Sequence, residues 1–184
     1  MDGIIPHVAG GMRGEFNLRF GQPSKDVCYI MPGLFPFSDF NQIDPISGQE
    51  GGLLNINNSQ PVTAKIMFTN TSAEYWRGDA ALIHTNLLND SDGNNLINVR
   101  NYHFAGTQHG SGVYPPVEIR ESDAIQGGNC FNAVDYSPLL RGLLERLRNW
   151  IKDGIEPPDS SCPSINKETA VSSSKVIKKF EEVE

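Results

Sequence analysis

The stretch Val99-Arg100-Asn101-Tyr102-His103-Phe104-Ala105-Gly106-Thr107-Gln108-His109-Gly110 decides how this chain is read. Its first half has the apolar and aromatic density of a short buried strand. Its second half is a loop punctuated by glycine that delivers one histidine, His109, just beyond the strand's end. In open α/β sheets, ligands and reacting groups gather outside the carboxyl ends of the strands. A histidine placed there can move protons near neutral pH. Earlier in the chain, Lys65-Ile66-Met67-Phe68-Thr69-Asn70 reads as a second strand, and an acidic residue, Glu74, stands shortly after it. Strand and acid, helix, strand and histidine is the order that closes a serine–acid–histidine triad. The opening part, a serine in a Gly-x-Ser-x-Gly turn, occurs nowhere in the sequence.

Working outward, Gly3 to Gly11 holds Ile4, Ile5 and Val8 before a Gly-Gly break and reads as a brief strand. A core strand so close to Met1 suggests part of something longer. Residues 12–61 show no sustained period. They carry Phe16, Phe20, Phe35, Phe37 and Phe40 among prolines, which predicts a packed excursion over a site. Gly78 to Leu88 reads as a short helix, and Asn89 to Asn95 is a turn cluster. Ser137-Pro138 opens the clearest helix, with Ser137 as the expected N-cap and Pro138 at the first helical position. Leu139, Leu140, Leu143, Leu144, Leu147, Trp150 and Ile151 share a face of it, and Gly154 supplies the stop. The order of elements predicts an α/β fold of about three parallel strands with flanking helices and a long irregular excursion. The expected organisation is a partial domain over 1–160 and a polar, weakly ordered tail over 161–184. So thin a sheet is expected to expose an edge, where further strands would pair.

The charge balance narrows the partners. A formal net charge of −7 with 22 acidic residues argues against a nucleic-acid backbone as partner, since phosphate recognition needs a basic footprint. No apolar run approaches the roughly 18 residues of a membrane span, and the first residues lack the basic and apolar regions of a secretory signal. Localisation is otherwise unreadable. Cys28, Cys130 and Cys162 stand far apart with no CxxC, which indicates neither a zinc site nor a disulfide framework.

By residue type alone, His109 can be a general base, a metal ligand or a surface residue. His103 and His109 do not have a recognised zinc spacing, so no metal is expected. Glu74 can orient a histidine or serve the first turn of a helix through its dipole, and Asp79 is a rival better placed to start the expected helix. His7 can line a site, or be buried and hydrogen-bonded to backbone. His84 and His103 read as structural. Ser72 and Ser111 stand near the two candidate residues, but neither has the strand-to-helix turn that exposes a nucleophile. Cys28 and Cys130 are the available thiols.

Together, Ile5-Pro6-His7-Val8-Ala9-Gly10-Gly11, Asn17-Leu18-Arg19-Phe20-Gly21-Gln22-Pro23-Ser24, Leu34-Phe35-Pro36-Phe37, Thr69-Asn70-Thr71-Ser72-Ala73-Glu74-Tyr75-Trp76 and Phe104-Ala105-Gly106-Thr107-Gln108-His109-Gly110 resemble the C-terminal half of the esterase-like alpha/beta hydrolase domain-containing proteins. The likeness runs from about residue 1 to about residue 160. It implies that Glu74 is the triad acid and His109 the triad histidine. It implies too that Gly14 to Pro61 flanks an acyl pocket, for which His7, Trp76 and Phe35 are the expected lining residues. In that family the serine-bearing turn stands upstream of the segment matching Asp2 to Gly11. The resemblance therefore implies a carboxylic ester as the substrate, no cofactor, and a fragment inactive alone that needs an N-terminal half as its partner. The alternative expectation is a non-catalytic binding module built on half of the same fold.

Overall fold

The computed structural model describes residues 1–11, 35–54, 62–93, 96–121 and 125–182. Cys28 and much of the expected excursion lie outside the described residues. In chain order the elements are β1 (Gly3–Ile4), β2 (Gln42–Ile43), β3 (Glu50–Gly51), β4 (Lys65–Thr71), α1 (Ser72–Trp76), a 3-10 turn (Ala81–Ile83), β5 (Thr85–Asn86), β6 (Ser91–Asp92), β7 (Val99–Phe104), β8 (Ile119–Arg120), β9 (Ile125–Gln126), α2 (Ser137–Asp153) and α3 (Ser173–Glu181). They fall into two compact units. The first gathers Met1–Val8, Thr63–Arg77 and Asn98–Cys162; the second gathers Ala9–Val62, Gly78–Ile97 and Pro163–Glu184.

The first unit is built on a sheet of order β1-β4-β7, parallel throughout. Six of the seven residues of β4 are buried, as expected of a central parallel strand covered on both faces. Register pairs Met67 with Arg100, Thr69 with Tyr102 and Thr71 with Phe104, so these residues share one face of the sheet. Against Met67, Tyr102 and Phe104 pack Tyr136, Leu147 and Trp150, with Ile5, Leu140 and Leu143 around them.

α2 meets this face with Leu140, Leu143, Leu147 and Trp150, at the three- and four-residue spacing of a helical stripe. Leu139 and Leu144 are more than half exposed, so the apolar face expected from the sequence is wider than the one the sheet covers. The helix also begins one residue earlier than expected: Tyr136 is its N-cap, and Pro138 stands inside the first turn. The side chain of Asp135 accepts the Ser137 N–H at 2.9 Å, doing what Ser137 was expected to do. The helix stops where predicted, at Gly154, which is left-handed with φ 69°. A β-carbon there would meet nothing within 4 Å, so only the backbone resists substitution. Gly154→Ala is expected to cost about 1 kcal/mol, read as a lower urea midpoint at unchanged slope. An unchanged midpoint would mean that the cap contributes nothing.

The outer edge of β7 is not bare. Ser161 bridges to Tyr102 in parallel sense, with His103 N–H donating to the Ser161 carbonyl and Ser161 N–H to that of Asn101, both at 2.8 Å. The Tyr102 hydroxyl donates to the Pro158 carbonyl at 2.7 Å. The chain therefore covers with its own residues part of the edge expected to be exposed.

In the second unit, the helix expected over Gly78 to Leu88 is replaced by the 3-10 turn and by a hairpin of β5 on β6. The Thr85 hydroxyl donates to the Ala81 carbonyl at 2.8 Å, a local bond that competes with helix continuation. The turn cluster after Leu88 then reverses the chain. In the segment read as a polar tail, Ser164 Oγ and Ile165 N–H donate to Asp92 at 2.5 and 2.7 Å. α3 follows with no buried residue.

Candidate functional site

β4 does not run into a loop. Its last residue, Thr71, is the N-cap of α1, a helix of little more than one turn that sets Glu74 at the third helical position. Thr71 and Glu74 close a capping box: the threonine hydroxyl accepts from Ala73 N–H at 3.3 Å, and Glu74 Oε2 accepts from Thr71 N–H at 2.7 Å. Glu74 Oε2 also accepts the Thr71 hydroxyl at 2.6 Å. One carboxylate oxygen is thus spent on the helix start. The other, Oε1, is 2.7 Å from His109 Nδ1.

Glu74 is 0% exposed. Burial alone would raise its carboxyl. Hydrogen bonds from the Thr71 hydroxyl, His109 and Thr71 N–H, together with the charge of His109, outweigh burial and hold it below the ordinary glutamate value. An ionised carboxylate only accepts, so His109 Nδ1 carries the proton and the neutral ring has its lone pair on Nε2. Among the described residues Nε2 has no hydrogen-bond partner, and the His109 side chain is 59% exposed. The arrangement is an imidazole fixed in one tautomer by a buried acid, with its basic nitrogen outward.

The loop from β7 to His109 is tied down at several points. Gly106 turns the chain with φ 72°, where a side chain would be strained. Its N–H donates to Ser72 Oγ at 2.9 Å, and its carbonyl accepts from Asn132 Nδ2 at 2.6 Å. Thr107 Oγ1 donates to the Phe104 carbonyl at 2.6 Å. The His109 carbonyl accepts the Tyr136 hydroxyl at 2.7 Å.

Of the other residues singled out in the sequence, His7 is half-buried, with Nδ1 2.9 Å from Thr69 Oγ1 and Nε2 3.3 Å from the Tyr136 hydroxyl. Burial depresses its pKa, against the raising influence of Glu74. Trp76 lies on α1 two residues beyond Glu74 and is half exposed. Phe35 belongs to the second unit, where its ring meets that of Phe37 edge-on at 5.7 Å. Asp79 also belongs to the second unit, buried, with its carbonyl accepting Gly11 N–H at 2.8 Å. Because the expected helix is absent there, Asp79 has no such helix to start. His103 packs on Tyr75 with ring centroids 4.4 Å apart, and its Nε2 is 3.3 Å from Ser72 Oγ. Ser111 donates to Asp135 at 2.5 Å. Cys130 is exposed and Cys162 half-buried. Among the described residues no three His, Cys, Asp or Glu side chains gather as a metal site, and no helix is long and apolar enough to cross a membrane.

Sequence reading missed Thr71, Asn132 and Tyr136. Thr71-Ser72-Ala73-Glu74 does carry the T-x-x-E signature of a capping box, which could have placed the helix start there. Asn132 and Tyr136 reach the loop from far along the chain and leave no local signal.

A parallel sheet with a helix packed on one face and polar groups assembled beyond the carboxyl ends of its strands places the chain in the α/β class. Its membership is narrower: the chain belongs to the alpha/beta hydrolase domain family, whose model matches residues 1–176. No curated protein and no solved structure matches it.

Proposed function

We propose that this chain supplies the acid and the histidine of a serine-type carboxylic ester hydrolase. The observation that carries the reading is the 2.7 Å contact of His109 Nδ1 with buried Glu74, beyond the ends of neighbouring parallel strands and with Nε2 unengaged among the described residues. In that role Nε2 takes the proton of a serine hydroxyl as it attacks the ester carbonyl, then returns it to the departing alkoxide. Glu74 keeps the tautomer and stabilises the imidazolium between those steps. With no Gly-x-Ser-x-Gly in the sequence, the serine and the oxyanion donors come from polypeptide outside these 184 residues. Support for a substrate with an apolar part comes from a cavity of about 330 Å³ beside the histidine turn, where Val113, Val117, Ile119 and Phe131 line the wall together with charged Arg120 and Glu121.

The test joins the serine-bearing half of an active member of the family to this chain and assays a short-chain aryl ester. Turnover is expected from the chimera and not from the 184-residue chain alone. His109→Ala should lower the chimera's kcat by roughly a thousandfold or more. A folded chimera without turnover, or one indifferent to His109→Ala, would sink the reading. Turnover by the isolated chain that Ser72→Ala or Ser111→Ala abolishes would place the nucleophile within it. The second reading, a binding module without catalysis, draws on the missing serine turn and on the β7 edge covered by Ser161. It predicts a silent chimera.

A further inference from the structure

We propose that Tyr136, itself oriented by His7, is a positioning residue for His109. This inference rests on the reading of Glu74 and His109 as an acid–histidine pair and adds what holds that pair in register. The Tyr136 ring lies in the core, 3% exposed, and packs against the rings of His7 and Phe104 at 5.3 and 5.4 Å, which also face each other at 6.3 Å. Its backbone is the N-cap of α2, the longest helix among the described residues. The hydroxyl at the end of this anchored ring reaches the carbonyl of His109 itself. The histidine is therefore held from two directions, by Glu74 at its ring and by Tyr136 at its backbone.

Donor and acceptor counting orders the chain behind it. Tyrosine has one hydroxyl proton, and the His109 carbonyl can only accept it. Tyr136 must then accept from His7, which places a proton on His7 Nε2. In the neutral ring Nδ1 is left as an acceptor, and the Thr69 hydroxyl at 2.9 Å is its donor, the Pro6 carbonyl being the more distant acceptor at 3.5 Å. Thr69 to His7 to Tyr136 to the His109 carbonyl is a run of bonds with a single direction, starting on β4. The Ser72 and Asn132 bonds pin Gly106, at the near end of the loop. Tyr136 pins the far end, where the imidazole departs. Without it, the backbone between Gly106 and Ser111 can turn, and the imidazole can swing away from Glu74 into water.

The experiment is long-range ¹⁵N–¹H NMR of the imidazoles in the uniformly labelled 184-residue chain. Wild type is expected to show a His109 Nδ1 proton shifted downfield and slow to exchange, lost in Glu74→Gln. Tyr136→Phe, which removes only the hydroxyl, should raise the exchange rate of that proton roughly tenfold. His7→Phe should act in the same direction to a smaller extent. Tyr102→Phe is the control: it removes another buried tyrosine bond on the same sheet, to Pro158, and should leave the His109 signal in place. A folded Tyr136→Phe with the His109 proton unchanged overturns the proposal. Should Tyr136→Phe fail to fold, an unchanged signal in His7→Phe overturns the His7 part and with it the directed chain. If wild type itself lacks the protected proton, the acid–histidine reading falls and takes the proposal with it. If wild type has it, Glu74→Gln loses it and Tyr136→Phe keeps it, the positioning proposal alone falls.

Discussion

Glu74→Ala is expected to lose roughly 3 kcal/mol of folding stability, although Glu74 sits in a helix of only five residues. The size follows from what its two oxygens do. Oε2 satisfies the backbone N–H and the hydroxyl of Thr71, both buried, and loss of a capping interaction alone costs about 1 kcal/mol. The rest comes from charge-assisted bonds removed from a fully buried position, which leave polar groups on β4 with no water to replace them. The His109 contact adds little to that sum. Once the carboxylate is removed, the His109 side chain, already 59% exposed, turns to solvent, which replaces the lost bond.

The same residue has a pH signature. A carboxyl held below its ordinary value stabilises the fold in full above that value, and the stabilisation fades as pH falls through the depressed one. The stability gap between wild type and Glu74→Gln should therefore be widest near neutrality and narrow below about pH 4. His7 and His103, both depressed by burial, cancel in the difference apart from the field of Glu74 itself. Urea denaturation from pH 7 to pH 3 measures it, and a gap independent of pH would refute the ionised, hydrogen-bonded carboxylate.

Trp150→Ala is expected to cost about 4 kcal/mol, a large part of the 5–15 kcal/mol that holds a typical domain together. Trp150 is 3% exposed and closes the core over Met67. Its ring also lies under two cations, with Lys65 Nζ at 4.7 Å and Arg100 Cζ at 4.9 Å from its centroid. Arg100 is itself buried, bonded to Glu156 at 2.9 Å, so removing the indole strips one side of a desolvated guanidinium. Leu144→Ala, on the same helix but 61% exposed, should stay within about 0.5 kcal/mol of wild type. Equal losses in the two variants would show that α2 does not pack as described.

The strands β4 and β7 and the helix α2 were legible because their signals are local. An apolar run between polar flanks marks β4 and β7, and Gly154 marks the end of α2 wherever the rest of the chain goes. The helix expected over Gly78 to Leu88 had apolar residues at suitable spacing. It failed because Thr85 competes for a helical carbonyl and the turn cluster after Leu88 folds the chain back. Pattern alone could not rank those forces. Leu139 and Leu144 teach the same lesson: an apolar stripe gives a helix's preferred face, while the partner's width decides how much of it is buried.

For the candidate site, the sequence by itself determined that an acid follows one apolar strand and a histidine another, since residue type and strand ends are written along the chain. Only the tertiary structure decided that they meet. The parallel register of β4 and β7 carries Glu74 and His109 to the same end of the sheet. The capping box turns one carboxylate oxygen toward α1 and leaves the other for the imidazole. Tyr136, distant in sequence, reaches the His109 carbonyl because α2 returns across the sheet. A hydrogen bond depends on atoms within about 3 Å of each other, and chain order sets no such distance until the strands have paired and the helix has packed.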